Sequence, residues 1–294
     1  MSGGPIQLVL CFDERVLVPA EVSIASALWT ARRMKVGVNV MTTALSETAE
    51  RELARLCEIL GAVSFRVRRV TLDRFAGITS TNRHIPLETY LNLLMGSVFP
   101  DLDRVIYLDA DVLVRSDLAG LWTMDFGDNV CIGSDKAWGH VPEYRASTGL
   151  SAEDVYINNG VMLVDLKAWR DDGCEERLVA KAQACGSRLP CMDQDVLNIV
   201  LRGRIGTMPS PWNFTSYEYA ANRRDWRLAK VLHFSAVPKP WQGAADGRAR
   251  EWRVAELRVR ELLRTGGRPA FHFRMRSVML RSYLLVRCLF SGGR

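Results

Sequence analysis

Two carboxylates lie one residue apart, at Asp109 and Asp111, directly after the apolar run 105–108. In an extended segment, side chains two residues apart point to the same side, so both carboxylates would face one small space. Like charges repel there, and a hard divalent cation such as Mg²⁺ or Mn²⁺ relieves the repulsion. A strand-end turn is the alternative, because Asp is common in turns. The apolar strand favours a metal site, since ligands of open α/β sheets gather where buried strands end.

Other groups that could do chemistry stand at the ends of further predicted elements. They are Asn158, Asn159, Asp193, Gln194, Asp195, His233 and Lys239. Amides bind hydroxyl groups, a histidine at a strand end is a candidate metal ligand, and lysine meets phosphate as a point charge. Taken singly, these residues are more typical of turns, helix caps, structural histidines and solvated surface than of a functional site.

The elements that would position these groups alternate between strand and helix. The first half predicts strands at 7–12, 36–41, 64–70 and 104–108, and helices at 20–34, 46–60 and 87–95. This alternation predicts a doubly wound, mostly parallel α/β sheet. The second half predicts strands at 160–166, 205–208 and 231–234, helices at 175–185 and 194–201 with Asp193 as a cap, and an aromatic, polar loop over 212–219.

Composition excludes several classes of protein. The chain has 294 residues, of which 48% are hydrophobic and 24% charged, as in ordinary globular domains. Its seven scattered cysteines include no Cys-x-x-Cys pair, which favours reduced thiols in a cytoplasmic protein over disulfides or zinc. We find no signal-peptide pattern and no apolar stretch of membrane-spanning length. The dinucleotide-binding and P-loop glycine signatures are missing as well.

Positive charge is concentrated near the C-terminus. Residues 248–294 contain 12 Arg and 3 Glu, hence +9, whereas the whole chain carries +6, which leaves −3 for residues 1–247. We therefore predict a catalytic domain over 1–247 and a basic, amphipathic helical region over 248–294. Apolar residues and arginines at helical spacing over 274–290 predict that this tail lies on an anionic membrane surface. Packing on the catalytic domain is the alternative.

Taken together, these segments resemble the retaining glycosyltransferases of family 8, which include bacterial lipopolysaccharide galactosyl- and glucosyltransferases and the glycogenins. The resemblance spans about residues 6–245, and its pieces run in family order. The pieces are Leu10-Cys11-Phe12-Asp13, Arg83-His84-Ile85, residues 107–114, Asn158-Asn159-Gly160-Val161, residues 166–170, residues 193–198, His233-Phe234-Ser235 and Lys239-Pro240-Trp241.

The resemblance implies a GT-A fold, a UDP-galactose or UDP-glucose donor, and Mn²⁺, with Mg²⁺ as the alternative. By position, the implied metal ligands are Asp109, Asp111 and His233. Residues implied to bind the donor are Asp13 at the uridine end, Lys239 at the diphosphate, Ala110 within the metal motif, and Arg83, Asp135, Asn158, Asp193 and Gln194 around the sugar. The implied catalytic residues are Gln194, Asp195 and Asp135.

The resulting prediction is a metal-dependent enzyme that moves a hexose to a saccharide or lipid-linked glycan, in lipopolysaccharide or cell-surface glycan synthesis. Because the Gln194 amide is a poor nucleophile, we favour front-face attack, with Asp195 as nucleophile the alternative. A nucleotidyltransferase acting on sugar phosphates and a non-catalytic carbohydrate-binding protein are the other classes. The former usually carries a Gly-rich basic loop where this chain has Asp13-Glu14-Arg15. We predict a cytoplasmic protein, peripheral on the inner face of the cytoplasmic membrane, with no nucleic-acid partner.

Overall fold

The computed structural model describes residues 4–80, 86–136 and 141–267. Its strands are β1 Ile6–Cys11, β2 Val36–Thr42, β3 Ser64–Arg69, β4 Arg104–Leu108, β5 Val112–Val114, β6 Cys131–Asp135, β7 Ile157–Asp165, β8 Ile205–Thr207, β9 Phe214–Thr215 and β10 Val231–His233. Its α-helices are α1 Leu17–Thr30, α2 Glu47–Ile59, α3 Met95–Val98, α4 Ala119–Trp122, α5 Pro142–Thr148, α6 Leu166–Asp171, α7 Cys174–Cys185, α8 Met192–Val200, α9 Ser216–Ala221 and α10 Gly247–Thr265.

The described strands form a large seven-stranded sheet in the order β3-β2-β1-β4-β7-β6-β8. Neighbours from β3 to β4 are parallel. Helices α1 and α2 return the chain to the same edge between β1 and β2 and between β2 and β3. β7 runs antiparallel to both β4 and β6, and β8 is parallel to β6. The prediction of a mostly parallel, mixed α/β sheet is confirmed.

A small three-stranded sheet lies beside the end of β4. It has the order β5-β10-β9, with β10 antiparallel to β5 and parallel to β9. The register pairs His233 with Val112, and the N–H of Phe234 donates to the carbonyl oxygen of Asp111 at 3.0 Å. This sheet therefore carries the end of β10 to the turn that follows β4.

Apolar side chains cover both faces of the large sheet. Along β1, Leu8 and Leu10 belong to a cluster that includes Ile24 of α1, whereas Val9 belongs to a second cluster with Trp169 of α6. Burial on both faces explains why the central strands read as continuous apolar runs.

Helix α10 contains the first part of the basic region. Asp246 caps it by accepting hydrogen bonds from the N–H groups of its first turn. Trp252, Ala255 and Val259 are buried in a cluster with residues of α1 and α2. The arginines lie mostly on the opposite face, so one helix combines a packed apolar side with a charged outer side. Residues 268–294, which include the predicted membrane segment 274–290, lie outside the described residues.

Among the described residues, every helix is too short or too polar to cross a lipid bilayer. The cysteines of this part of the chain are free thiols, namely Cys11, Cys57, Cys131, Cys174, Cys185 and Cys191.

The prediction that Asp193 caps a helix was wrong. Helix α8 begins at Met192, with Cys191 at the N-cap position and Asp193 in the first turn. The carboxylate of Asp193 instead accepts hydrogen bonds from side chains of two neighbouring segments. These donors are Thr89, Asn92 and Asn159.

The prediction of an aromatic, polar loop over 212–219 was also wrong. The 3-10 segment Ser210–Asn213 leads into β9 and then α9. A capping box stabilises the start of α9: Thr215 accepts from the N–H of Glu218, and the Glu218 side chain accepts from the N–H of Thr215. The Thr-x-x-Glu spacing was present in the sequence and was overlooked among the aromatic residues.

Candidate active site

The turn between β4 and β5 and the end of β10 bring the predicted metal ligands together. Asp109 and Asp111 occupy the turn between β4 and β5, and His233 ends β10. Nε2 of His233 lies 3.2 Å from Oδ1 of Asp111 and 3.5 Å from Oδ2 of Asp109. The ligand atoms of these residues all lie within 4.8 Å of one another. The imidazole is buried, while the two carboxylates remain partly open to solvent.

The electrostatics of the carboxylate pair fit a divalent cation. Burial, followed by the charge of Asp111, raises the pKa of Asp109. Burial also opposes ionisation of Asp111, but Lys239 and His233 hold the pKa of this carboxyl well below its usual range. Asp111 Oδ1 is buried and accepts no hydrogen bond from the described residues. Two carboxylates, an imidazole and one unsatisfied oxygen form a donor set suited to Mn²⁺ or Mg²⁺.

Lys239 and Tyr107 support the pair from either side. Nζ of Lys239 donates to Oδ2 of Asp111 at 2.7 Å and to the carbonyl oxygen of Phe234 at 2.5 Å. The hydroxyl of Tyr107 donates to Oδ1 of Asp109 at 2.8 Å. Lys239 therefore places a positive charge next to the metal ligands, where a phosphate bound to the same metal would meet it.

Gly160 makes room for the cluster, a role that no sequence pattern indicates. A Cβ at Gly160 would lie 2.2 Å from Cε1 of His233 and 2.6 Å from Oδ2 of Asp109. The N–H of Asp109 donates to the carbonyl oxygen of Gly160 at 2.8 Å. The sequence predicts Gly160 at the start of a strand over 160–166, and in the structure it lies inside the longer strand β7.

Asp193 lies below the cluster among polar donors. Its carboxylate accepts from Oγ1 of Thr89 at 2.7 Å, Nδ2 of Asn92 at 2.7 Å and Nδ2 of Asn159 at 2.6 Å. Burial raises the pKa of Asp193 to about 7, although these hydrogen bonds favour the charged form. These three hydrogen bonds thus fix the position of the Asp193 carboxylate in the first turn of α8.

Gln194 has both ends of its amide engaged. Its Oε1 accepts from Nδ2 of Asn158 at 2.7 Å, and its Nε2 donates to the hydroxyl of Tyr156 at 2.9 Å. These contacts hold the amide in one orientation. Tyr156 had not been singled out in the sequence, because no local pattern separates it from an ordinary core tyrosine.

Asp195 is fully buried and surrounded by donors. Oδ1 accepts from the hydroxyls of Tyr144 and Tyr156, the latter at 2.5 Å, and Oδ2 accepts from the N–H of Cys191 at 2.7 Å. Burial raises the pKa of Asp195, while the two tyrosine hydroxyls lower it. The carboxylate acts here as an internal acceptor and presents no oxygen to solvent.

Of the two remaining residues predicted to bind the sugar, Asp135 and Arg83, the structure describes only Asp135. Asp135 ends β6 next to β7, and its Oδ1 accepts from the N–H of Tyr156 at 3.0 Å. Its pairing partner in β7 is Ile157, which places Asp135 beside Asn158. Arg83 lies outside the described residues.

A cleft of about 470 Å³ opens at the carboxyl ends of β1 and β2 and includes Asp13, Arg15, Ser46 and Glu88 in its lining. Asp13 pairs with Arg15, which also contacts Glu88 at 2.8 Å. Burial alone would raise the pKa of Asp13, but the hydrogen bonds from Arg15 lower it. The predicted uridine contact thus borders a cavity at the sheet edge where nucleotides bind in α/β folds.

Relatives of this chain act on carbohydrates, according to their names. Glycosyltransferase GlyF of Streptococcus pneumoniae is 25% identical over 251 residues, which cover 83% of this chain and 59% of that protein. The lipopolysaccharide 1,2-glucosyltransferase of Escherichia coli is 24% identical, over 78% of this chain and 70% of that protein. This chain therefore spans little more than half of GlyF and a larger share of the glucosyltransferase.

Comparison with solved structures and family models agrees with the geometry of the site. A crystal structure of the galactosyltransferase LgtC in complex with donor and acceptor sugar analogs is 26% identical, with a TM-score of 0.76 over 92% of this chain and 99% of that one. This similarity shows that the sheet and its appended strands form a GT-A fold. The family model for glycosyl transferase family 8 matches residues 7–245, which is most of the sequence. The chain belongs to glycosyl transferase family 8.

Proposed function

We propose that this protein is a retaining hexosyltransferase that moves galactose or glucose from a UDP-sugar to a saccharide or lipid-linked glycan. Its cellular role would be lipopolysaccharide or cell-surface glycan synthesis. The observation that carries the proposal is the cluster of Asp109, Asp111 and His233, with Lys239 at 2.7 Å from Asp111. Family membership and the names of the relatives support the same chemistry.

The cluster would hold the metal, and its neighbours would hold the donor. A divalent cation at Asp109, Asp111 and His233 would stabilise the negative charge that develops on the UDP leaving group. Lys239 would add a second positive charge on the same side. Asp193 and Asn158 would orient the hydroxyls of the sugar, since carboxylate and amide groups accept and donate such hydrogen bonds.

Front-face attack is the route to retention of configuration that fits these residues best. Asp195 has no exposed surface and accepts hydrogen bonds from two tyrosines and a backbone N–H, which makes it a poor nucleophile. The Gln194 amide is neutral and is hydrogen-bonded at both ends. The acceptor hydroxyl would therefore enter on the side that UDP leaves, and the leaving phosphate oxygen would take its proton.

The decisive experiment is a panel of UDP-sugars incubated with Mn²⁺ or Mg²⁺ and saccharide acceptors. We expect release of UDP and a glycosylated product whose anomeric configuration matches that of the donor. A nucleotidyltransferase would instead release pyrophosphate or a nucleoside monophosphate, and a binding protein would release nothing. Undiminished turnover after complete chelation would exclude the proposed metal dependence.

We further propose that the basic C-terminal region brings the active site to an anionic membrane on the cytoplasmic side. On helix α10, Val254 and Leu257 are exposed beside Arg250 and Arg258, a pattern that suits contact with lipid headgroups. A lipid-linked acceptor would then be presented at the surface to which the enzyme binds.

A further inference from the structure

The imidazole of His233 makes one hydrogen bond on the side away from the carboxylates. Its Nδ1 lies 3.0 Å from Oδ1 of Asn213. Asn213 is completely buried and ends a 3-10 segment directly before β9. No sequence pattern marked this asparagine, and the mechanism above does not use it.

The amide of Asn213 has only one orientation that satisfies its neighbours. Its Nδ2 lies 3.1 Å from the backbone carbonyl oxygen of Asn158 and 2.8 Å from Oδ1 of the same residue. A backbone carbonyl oxygen can only accept, so Asn213 must turn its NH₂ group toward Asn158. Its amide oxygen therefore faces His233 as an acceptor.

The backbone of Asn213 is held by a buried cation. Nζ of Lys136 donates to the Asn213 carbonyl oxygen at 2.7 Å and lies 2.9 Å from a carboxylate oxygen of Glu218. Lys136 is only 2% exposed, so this ammonium has its partners inside the protein. These bonds hold the residue that contacts His233 in a single position.

The amide orientation decides which nitrogen of His233 carries the proton. Since Asn213 accepts, Nδ1 of the neutral ring is protonated and Nε2 keeps its lone pair. Nε2 faces Oδ1 of Asp111 at 3.2 Å and Oδ2 of Asp109 at 3.5 Å, so three electron-rich atoms converge. We propose that Asn213 is a positioning residue that fixes this tautomer and ring orientation for a metal ion, an inference that rests on the metal site proposed above.

Asn213 is also the first acceptor in a series of hydrogen bonds that all point one way. In order, the series joins His233, Asn213, Asn158, Gln194, Tyr156 and Asp195. Each residue donates to the next, over distances of 3.0, 2.8, 2.7, 2.9 and 2.5 Å. Because the last acceptor is a carboxylate, the series has one favourable direction, which reinforces the orientation of every amide in it.

The tautomer can be measured in the unmodified protein. Histidine labelled with ¹⁵N, at a pH where the ring is neutral, reports by NMR which nitrogen is protonated, and His233→Gln assigns the signal among the four histidines of the chain. We expect a protonated Nδ1 for His233. A protonated Nε2 in the neutral ring would overturn the proposal without any variant of Asn213.

The variant Asn213→Leu removes the acceptor at similar volume. We expect the Kd for Mn²⁺ to rise about 10–100-fold, which calorimetry or electron paramagnetic resonance of the free ion would measure. The His233 ring should then populate both tautomers. The matched control is Asn39→Leu, which removes another fully buried amide, in β2, whose Nδ2 donates to Leu8. This control should lose stability but keep the Kd for Mn²⁺.

The outcomes separate this inference from the proposed function. If the unmodified protein binds no Mn²⁺, the proposed metal dependence fails, and the proposed role of Asn213 toward a metal falls with it. If it binds Mn²⁺ and a folded Asn213→Leu protein binds equally well, the function stands and the role of Asn213 is refuted. If Asn213→Leu does not fold, the tautomer of the unmodified protein decides.

Discussion

Gly160 lies where any side chain would collide with both halves of the metal cluster. A Cβ at this position would come within 2.2 Å of the His233 ring and 2.6 Å of the Asp109 carboxylate, both of which we propose as metal ligands. This close approach, rather than an unusual backbone conformation, explains why the position holds glycine.

We predict that Gly160→Ala displaces the ligands and lowers turnover about 100-fold, since misplacements near 1 Å have effects of this size. UDP release and the Kd for Mn²⁺ would both be measured. Gly4→Ala is the control, because nothing lies within 4 Å of a Cβ there. Equal metal affinity in Gly160→Ala and the unmodified protein would show that the cluster tolerates the methyl group.

The enclosed Asp195 leads to a prediction about the reaction path. Gln194→Ala should lower kcat only moderately, about tenfold, because the residue positions the sugar and forms no bond to it. Steady-state kinetics with a soluble acceptor would measure the loss, and intact-protein mass spectrometry would search for a glycosyl adduct. A kinetically competent adduct on Asp195 or Gln194 would replace front-face attack by a covalent route.

At the scale of residues, the sequence indicated groups that share a local spacing, but it did not indicate contacts between residues that are distant along the chain. Asp109 and Asp111 are close along the chain, so the sequence indicated that their carboxylates share one space, although they lie in the turn between β4 and β5 and not in an extended strand. His233 came from the family resemblance, because its approach depends on the pairing of β10 with β5. Asn213 and Tyr156 had no signal, since their roles exist only through partners that are distant in sequence.

At the scale of elements, α1 carries a buried carboxyl group, Glu21, whose charged form is destabilised by its burial. Glu21 is 4% exposed, and its Oε1 has no hydrogen-bond partner among the described residues. Burial, with a smaller contribution from Glu52, raises its pKa from the usual 4.5 to about 8, while Arg260 of α10 opposes the shift. The folded protein therefore binds a proton here that the unfolded chain has already lost at neutral pH.

We predict that Glu21→Gln stabilises the protein at pH 7–8. Because the folded pKa is raised, the stability linked to this proton is complete below pH 4.5 and is lost as pH rises toward 8. At 1.36 kcal/mol per pH unit, the gain at pH 7 is on the order of 3 kcal/mol. Urea unfolding at pH 4.5 and 7.5 would measure it, with exposed Glu58→Gln as control. A gain of equal size at both pH values would contradict the assigned cause.

The strands were predictable because burial on both faces leaves uninterrupted apolar runs, as in β1 and β4. The region 212–219 was not, because its aromatic residues obscured the capping box of Thr215 and Glu218. Its short 3-10 and helical pieces depend on contacts with β10 and Lys136 that no sequence period reveals.

For the whole molecule, the basic region divides into a packed part and a part outside the described residues. Helix α10 buries Trp252, Ala255 and Val259 against α1 and α2. Residues 268–294 follow it and contain six arginines and no acidic residue. These two parts should respond differently when they are removed.

We predict that a chain ending at residue 267 folds and turns over soluble acceptors but sediments much less with anionic vesicles at low salt, because it keeps only the contacts of α10. Attraction of about 1 kcal/mol per arginine near such a surface accounts for the loss. A chain ending at residue 246 should unfold or aggregate, because it uncovers the cluster beneath α10. Thermal unfolding and vesicle sedimentation of both chains would be compared. Full vesicle binding by the chain ending at 267 would remove the membrane role from the tail.

The separation of the proposed metal ligands along the chain has a consequence for biosynthesis. A nascent chain that has emerged only through β7 already contains both aspartates, but the histidine arrives later, with β10. The site can therefore assemble only after β10 has docked beside β5, and the ion would hold these segments together in the folded domain. At a concentration a hundred times its Kd, an ion that binds only the native state would raise the free energy of unfolding by about 2.7 kcal/mol. Cellular manganese or magnesium would thus favour complete molecules over partly folded ones.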